Sequence, residues 1–228
     1  MAIRFPVVVK DVTKRYRLGE QVVDALTGVS LTVEPGAFVA VAGPSGSGKT
    51  TLLNLIGCLD TPTEGEIEIE GKPVSRLRPV QRADLRARRL GFVFQTFNLI
   101  PVLSAWENVE YPLLLRPGAG DVRARVEATL ARVGLADRAR HRPAQLSGGQ
   151  QQPVAIARAL VGDPALVLAD EPTAILDGRT GREVIDLMRE LNRERGTTFV
   201  FSTHDPRILA AADRVVHLVD GRLHPEGG

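Results

Sequence analysis

The stretch from Val39 to Leu53, VAVAGPSGSGKTTLL, constrains this chain more than any other part of it. The apolar run Phe38 to Ala42 predicts a buried strand, which stops at Gly43, Pro44, Ser45, Gly46, Ser47 and Gly48 before an apolar helix begins. The glycines let successive backbone N–H groups turn inward without Cβ clashes, and the helix adds the positive end of its dipole. The loop therefore predicts a concave anion site. Its spacing, G-x-x-x-x-G-K-[ST], is the phosphate-binding loop pattern. Lys49 is expected to reach the β- and γ-phosphates of a nucleotide. Thr50, followed by Thr51, offers a hydroxyl to Mg²⁺, a small hard cation usually held by one or two protein oxygens plus the phosphates. A Gly/Ser-rich turn matching by accident would have no reason to sit between a strand and a helix.

At 228 residues the chain is long enough for one large α/β domain or two small ones. Apolar and charged fractions of 43% and 25% are those of a globular protein and argue against disorder. A net charge of +2 gives no mandate for nucleic-acid binding. The lysines are Lys10, Lys14, Lys49 and Lys72, so one of the four stands in the phosphate loop. A single cysteine, Cys58, excludes an intrachain disulfide, and its place in the run Leu52 to Leu59 predicts a buried helix residue. MAIRFPVVVKD lacks an apolar segment long enough for a signal peptide, and no window is long enough to cross a bilayer. Work at a membrane would need another anchor.

Along the chain, Val7, Val9 and Val12, then Val22 and Val23, then Val29, Leu31 and Val33 alternate as half-buried strands do, with turns at Gly19 and Pro35-Gly36. They predict a small antiparallel layer, joined by Ile67, Ile69 and the turn Glu70-Gly71-Lys72. Arg76 to Arg89 reads as an exposed helix, either a plain solvated face or a contact for acidic lipid headgroups or a partner. Gly91 to Gln95 returns to strand character. Helical patterns follow: Ser104 and Glu107 are spaced as a capping box, Asp121 caps the run Val122, Val126, Leu130, Val133 closed by Gly134, and a third helix starts near Ser147. Strand Ala165 to Ala169 then ends in Asp170-Glu171. A helix with Val184, Leu187, Met188 and Leu191 stops at Gly196, strand Thr197 to Phe201 leads into Ser202, Thr203, His204 and Asp205, and a last strand runs Val215 to Val219. Strands alternating with helices predict a parallel sheet, with ligands at the strands' carboxyl ends. Gln95, Asp170, Glu171 and His204 fall at such ends. Asp170 suits Mg²⁺ bound through its water shell, and Glu171 suits orienting and deprotonating an attacking water. A helix-capping pair is the plainer reading of two adjacent acids, and the phosphate loop weighs against it.

Leu146-Ser147-Gly148-Gly149-Gln150 matches the LSGGQ signature of ATP-binding cassette (ABC) ATPases, and LVLADEPT, Leu166 to Thr173, follows at that family's spacing. With the phosphate loop, Gln95 and His204, the resemblance covers nearly the whole chain. It implies a P-loop NTPase core with a parallel sheet, an N-terminal antiparallel β layer and an inserted α-helical subdomain. Residues 1–228 would form one ABC ATPase domain, with 1–95 and 160–228 as core and 96–159 as the helical signature subdomain. The resemblance further implies ATP and Mg²⁺ as cofactors. Tyr16 would stack on adenine, Gln95 would touch Mg²⁺ and the catalytic water while sensing a transport partner, and His204 would contact the γ-phosphate. His141, His217 and His224 match nothing in the family. Two copies would sandwich two ATP molecules, each phosphate loop facing Ser147, Gly148, Gly149 and Gln150 of the other copy, with Asp177 communicating across the dimer.

GPSGSGKTTLLNLIGCLDTPTEG, GFVFQTFNLIP and LSAWENVEYPL resemble the lipoprotein-release and macrolide-export type cassettes. These pair with separate bacterial permeases, which implies a peripheral place on the cytoplasmic side of the cell membrane. Phe97, Asn98, Leu99 and Ile100 are the expected contacts for the permease. Two departures stand out. Pro153 occupies the arginine position of LSGGQQQRVAIARAL and is expected to kink the signature helix, and Ala174-Ile175 precedes Leu176-Asp177 where Gly-Asn or Ser-Ala is commoner. ATP binding with reduced turnover is the expectation, and a regulatory protein that no longer hydrolyses is the alternative it leaves open. A soluble cassette acting on DNA or ribosomes would carry a long coiled-coil insert or two tandem cassettes, whereas only about a hundred residues separate Lys49 from Ser147.

Overall fold

In the computed structural model, which describes residues 6–19, 21–116, 118 and 120–224, the valine-rich start forms two long strands, β1 (Val7–Leu18) and β2 (Gln21–Val33). The outer ends of the expected domain, 1–5 and 225–228, lie outside the described residues. After β3 (Phe38–Ala42) and helix α1 (Lys49–Ile56), strands β4 (Glu64–Ile69) and β5 (Lys72–Pro73) complete an antiparallel sheet of order β2-β1-β4-β5. Val22 and Val23 are exposed, contrary to the half-buried reading. They pair with Arg17 and Tyr16 at the tip of the hairpin, outside the apolar cluster that takes in Val7, Val9 and Val12.

Helix α2 (Pro79–Arg89) starts where Pro79 fixes φ, three residues later than the arginine run suggests, and leads into β6 (Leu90–Val93). Helices α3 (Ala105–Leu114), α4 (Val122–Arg132) and α5 (Gly148–Leu160) follow, then β7 (Leu166–Asp170), α6 (Gly178–Arg195), β8 (Thr198–Thr203), α7 (Pro206–Ala211), β9 (Arg214–Val219) and β10 (Arg222–His224). The second sheet has the order β10-β9-β3-β8-β7-β6 and is parallel except for β10. No apolar run announced β10. It places His224 opposite His217, two residues that motif reading left unassigned.

Side-chain alternation divides the core into layers. Val39 and Val41 of β3 join Leu52, Leu55 and Ile56 of α1 and the inward valines of the antiparallel sheet, so α1 is buried between the two sheets. Phe38 and Ala40 point to the other face, against Ile156 of α5 and Val184, Met188 and Leu191 of α6. A third cluster gathers Val109, Leu113, Val126, Leu130, Val154 and Ala157 from α3, α4 and α5. Helix α5 thus packs on both the sheet and the helical group. The α3 cap is reciprocal, as its spacing implies: Glu107 N donates to Ser104 Oγ and Ser104 N to Glu107 Oε2. Asp121 caps α4 by accepting from Ala124 N, and Gly134 follows with φ +72°. Cys58 is buried, but it lies two residues past the end of α1 in a left-handed turn (φ +55°) instead of inside the helix. Among the described residues no helix is long and apolar enough to cross a membrane.

Candidate functional site

The sheet order puts the carboxyl ends of β3, β8, β7 and β6 side by side, and all the expected strand-end residues with them. From β3 the chain enters the loop Gly43–Gly48 and then α1. Gly48 caps that helix at φ +100°, and a Cβ there would run into the Ala25 carbonyl oxygen of β2, so only glycine fits. Lys49 is 8% exposed, and its ammonium donates to the carbonyls of Gly43 at 2.8 Å and Pro44 at 2.9 Å. No carboxylate pairs with it among the described residues. Ser47 Oγ is buried in the same loop without a hydrogen-bond partner. A buried ammonium satisfied only by carbonyls and a buried hydroxyl satisfied by nothing are what a cradle shaped around an anion leaves.

Next to Lys49, Thr50 Oγ1 lies 3.2 and 3.1 Å from the two carboxylate oxygens of Asp170 at the end of β7. Ser202 Oγ on β8, opposite Asp170 in the parallel register, donates to Asp170 Oδ1 at 2.7 Å. One carboxylate and one hydroxyl held together are a donor set that fits Mg²⁺. No group of three or more His, Cys, Asp or Glu side chains gathers among the described residues, so such a cation would draw its other ligands from phosphates and water.

Glu171 departs from the strand in the left-handed region (φ +46°), its amide donating to the Ser202 carbonyl at 2.8 Å. That turn aims its carboxylate away from Asp170. Glu171 Oε1 lies 2.8 Å from His204 Nδ1, and Thr203 Oγ1 approaches Oε2 at 3.4 Å. The His204 side chain is 71% exposed, so its other ring nitrogen faces outward. Beneath it, Asp205 accepts from Thr173 Oγ1 at 2.6 Å and from Arg207. Burial alone would raise the Asp205 carboxyl, but Arg207 and Thr173 outweigh it and hold it at about 2. Gln95 stands exposed in the turn after β6, which ends two residues earlier than the expected strand, at Val93.

Tyr16 lies on β1, half-buried, with its hydroxyl donating to Asp60 Oδ2 at 2.9 Å. Burial first, and then Asp60, push its phenol pKa up. The Ser202, Thr203 and Asp60 partnerships escaped sequence reasoning. Polar residues ending or following an apolar element were the available signal.

The signature segment stands apart. Ser147 is the N-cap of α5, its amide donating to Gln150 Oε1 at 3.1 Å. Gly148 packs near the Phe97 ring, and Gly149 packs against Thr180. Asp177 caps α6, accepting from the amides of Arg179 and Thr180 and from Thr180 Oγ1. No hydrogen bond joins Ser147–Gln150 or Asp177 to the 43–51 cradle among the described residues. Pro153 lies inside α5, and the helix runs on past it to Leu160.

A cavity of about 510 Å³ opens where α2, β6, α3 and α5 meet, lined by Leu59, Phe92, Phe94, Ile100, Tyr111 and Leu115 among others. Asn98 and Ile100 line it, whereas Phe97 is buried beneath Gly148 and Leu99 packs into the helical cluster. Arg86, Arg116 and Arg158 line it too, each donating to backbone carbonyls.

The sequence model of the family described as ABC transporter matches residues 26–174. The chain is 51% identical over 222 residues to the macrolide export ATP-binding/permease protein MacB of Syntrophobacter fumaroxidans, covering 96% of this chain and 31% of that protein. The chain thus spans about a third of that relative's length. It is 47% identical to the uncharacterized ABC transporter ATP-binding protein MJ0796 of Methanocaldococcus jannaschii, covering 95% of this chain and 94% of the other. A solved dimeric structure of the cassette MJ0796 in a post-hydrolysis state, bound to ADP and Pi, superposes with a TM-score of 0.89 at 46% identity, over 96% of this chain and 97% of that one.

Proposed function

We propose a function from the premise that this chain belongs to the ABC transporter family: it binds and hydrolyses ATP and passes the resulting dimer closure to a separate permease of the macrolide-export or lipoprotein-release type. The observation that carries this reading is the buried Lys49 ammonium, left on two loop carbonyls beside the orphaned Ser47 hydroxyl. A triphosphate would satisfy both. The loop amides of Gly43, Pro44, Ser45, Gly46, Ser47 and Gly48 that carry hydrogens would surround its β-phosphate, with Thr51 beside the α-phosphate.

In this reading Glu171 accepts a proton from a water as its oxygen attacks the γ-phosphorus. The bond from that phosphorus to the β–γ bridging oxygen breaks, and ADP and phosphate leave. His204, tethered to Glu171 through Nδ1, offers its outer nitrogen to the γ-phosphate. Lys49 stabilises the charge that develops on the transferred group. Thr50, Asp170 and Gln95 would hold Mg²⁺, which when bound neutralises the β- and γ-phosphate oxygens. Ser147, Gly148, Gly149 and Gln150 act on the nucleotide of a second copy, and Asp177 relays between copies. Residues 1–95 and 160–228 serve as the catalytic core and 96–159 as the moving helical part. The cavity beside Asn98 and Ile100 takes a segment of the permease, at the cytoplasmic face of the membrane. Its apolar walls and carbonyl-bound arginines suit an apolar segment bearing a carboxylate.

A hydrolysis-impaired nucleotide switch is the second reading, favoured by Pro153 within α5. Measuring ATP binding and steady-state phosphate release on the purified chain, beside Lys49→Ala, separates the two. Binding with turnover, both lost in the variant, supports the first; binding without turnover supports the second. Co-purification from membranes tests the permease: capture of an integral-membrane subunit is expected, and capture of ribosomes or DNA instead would overturn the transport reading.

A further inference from the structure

Tyr16 is held from two sides. Its hydroxyl donates to Asp60 Oδ2 at 2.9 Å, and the Lys14 ammonium stands over one face of its ring, 4.8 Å from the centroid. Lys14 Nζ also donates to Asp60 Oδ1 at 2.8 Å and to the Thr61 carbonyl at 2.9 Å, and Thr61 N donates to the same Asp60 oxygen at 2.7 Å. The Lys14 side chain is only 11% exposed. Asp60 lies just beyond the far end of α1, the helix that starts at Lys49. The aromatic ring is therefore tied to the phosphate cradle through one helix. Left alone near the tip of a hairpin, it would have to be ordered by each arriving ligand, at a cost in rotamer freedom.

We propose that Asp60 and Lys14 are positioning residues for the nucleobase: they lock the Tyr16 ring so that the face opposite the Lys14 ammonium meets the base of a nucleotide whose phosphates lie in the loop. This rests on the ATP-binding reading above and adds the residues that set its base platform. A tie that merely joins β1 to the loop after α1 would weaken every ligand alike, whereas a base platform matters only to a ligand that has a base.

The experiment compares equilibrium binding of ATP and inorganic tripolyphosphate, with Mg²⁺, to the full chain and to Asp60→Ala, Asp60→Asn and Lys14→Met. Asp60→Ala and Lys14→Met are expected to weaken ATP about three- to tenfold, the range of one aromatic stacking contact, and to change tripolyphosphate by less than about twofold. Asp60→Asn keeps an acceptor for the phenol and should recover part of the loss, and KM for ATP should rise in Asp60→Ala with kcat unchanged. Should Asp60→Ala fail to fold, Tyr16→Phe deletes only the tethering hydroxyl and carries the same selective loss. Equal losses for both ligands, or no loss for either, would overturn the proposal. Failure of the unaltered chain to bind either ligand would overturn the ATP-binding reading itself, and this one with it.

Discussion

Glu171 sits in a backbone region that costs a residue with a Cβ on the order of 1 kcal/mol or more, and the hydrogen bond from its amide to the Ser202 carbonyl holds it there. The turn gives two adjacent acids different partners, Asp170 facing Thr50 and Glu171 facing His204. Glu171→Gln keeps size and acceptor but cannot take up a proton. Its ATP affinity should stay within about twofold while single-turnover hydrolysis falls about a hundredfold or more; a rate within tenfold of the unaltered chain would remove the general-base role. Asp205 gives a pH prediction. Its carboxyl, held at about 2 against an ordinary 3.8, contributes roughly 2 kcal/mol above the ordinary value, and this is lost as pH falls through the lower one. In urea unfolding, the stability gap between the unaltered chain and Asp205→Asn should narrow between about pH 4 and pH 2 and stay flat from about pH 5 to 7. The acids and His204 were legible because each ends or follows an apolar strand. The hydroxyls of Ser202 and Thr203 were not, since their partners follow from the register of β7 against β8, which no local pattern states.

Helix α5 carries an element-scale conflict. Pro153, sixth residue after the cap, cannot donate to the Gly149 carbonyl, and its ring crowds that turn, yet buried Val154, Ile156, Ala157 and Leu160 hold the helix on both clusters. Packing outweighs propensity here, and the helix continues through the proline. Relieving the conflict should show. Pro153→Arg restores the N–H and faces a small cavity lined by Arg132, Gly149, Thr180 and Glu183. It should raise Tm by several degrees, from about 3 kcal/mol of proline cost at about 2–4 °C per kcal/mol, and raise ATPase activity. Calorimetry and phosphate release read both, and an unchanged rate would remove the link between this proline and turnover. Element starts were otherwise well marked: Ser104, Asp121 and Ser147 each cap the helix that their spacing announced. Element ends were less so. The apolar run passes the point where Gly57 and left-handed Cys58 stop α1, because those two residues are buried like the helix before them; Leu59 beyond them is exposed.

At the scale of the whole molecule, one chain brings together the Gly43–Gly48 loop with Lys49, a carboxylate pair and a histidine, while Ser147–Gln150 and Asp177 cap helices elsewhere. Motif reading placed all of these on the chain, but motifs are silent on which residues meet within one copy. Ile175, beside Asp177, is 52% exposed, an apolar side chain that a facing copy would cover. If each site is composite, its two halves can be disabled separately. Lys49→Ala destroys the cradle and Ser147→Arg the clamp, so either variant alone should be inactive. Mixed in equal amounts, random pairing makes about half the dimers heterogeneous, each with one site free of both lesions and one carrying both. Independent sites then give roughly a quarter of the unaltered activity. Recovery near that level requires nucleotide to lie between copies, since no site confined to one chain can be rebuilt by mixing. Recovery of none, with each variant still folded and dimeric, would mean either that one chain does the chemistry alone or that the two sites fire only together. Activity of Ser147→Arg by itself tells these apart, because a self-sufficient chain would tolerate a lesion outside its own cradle.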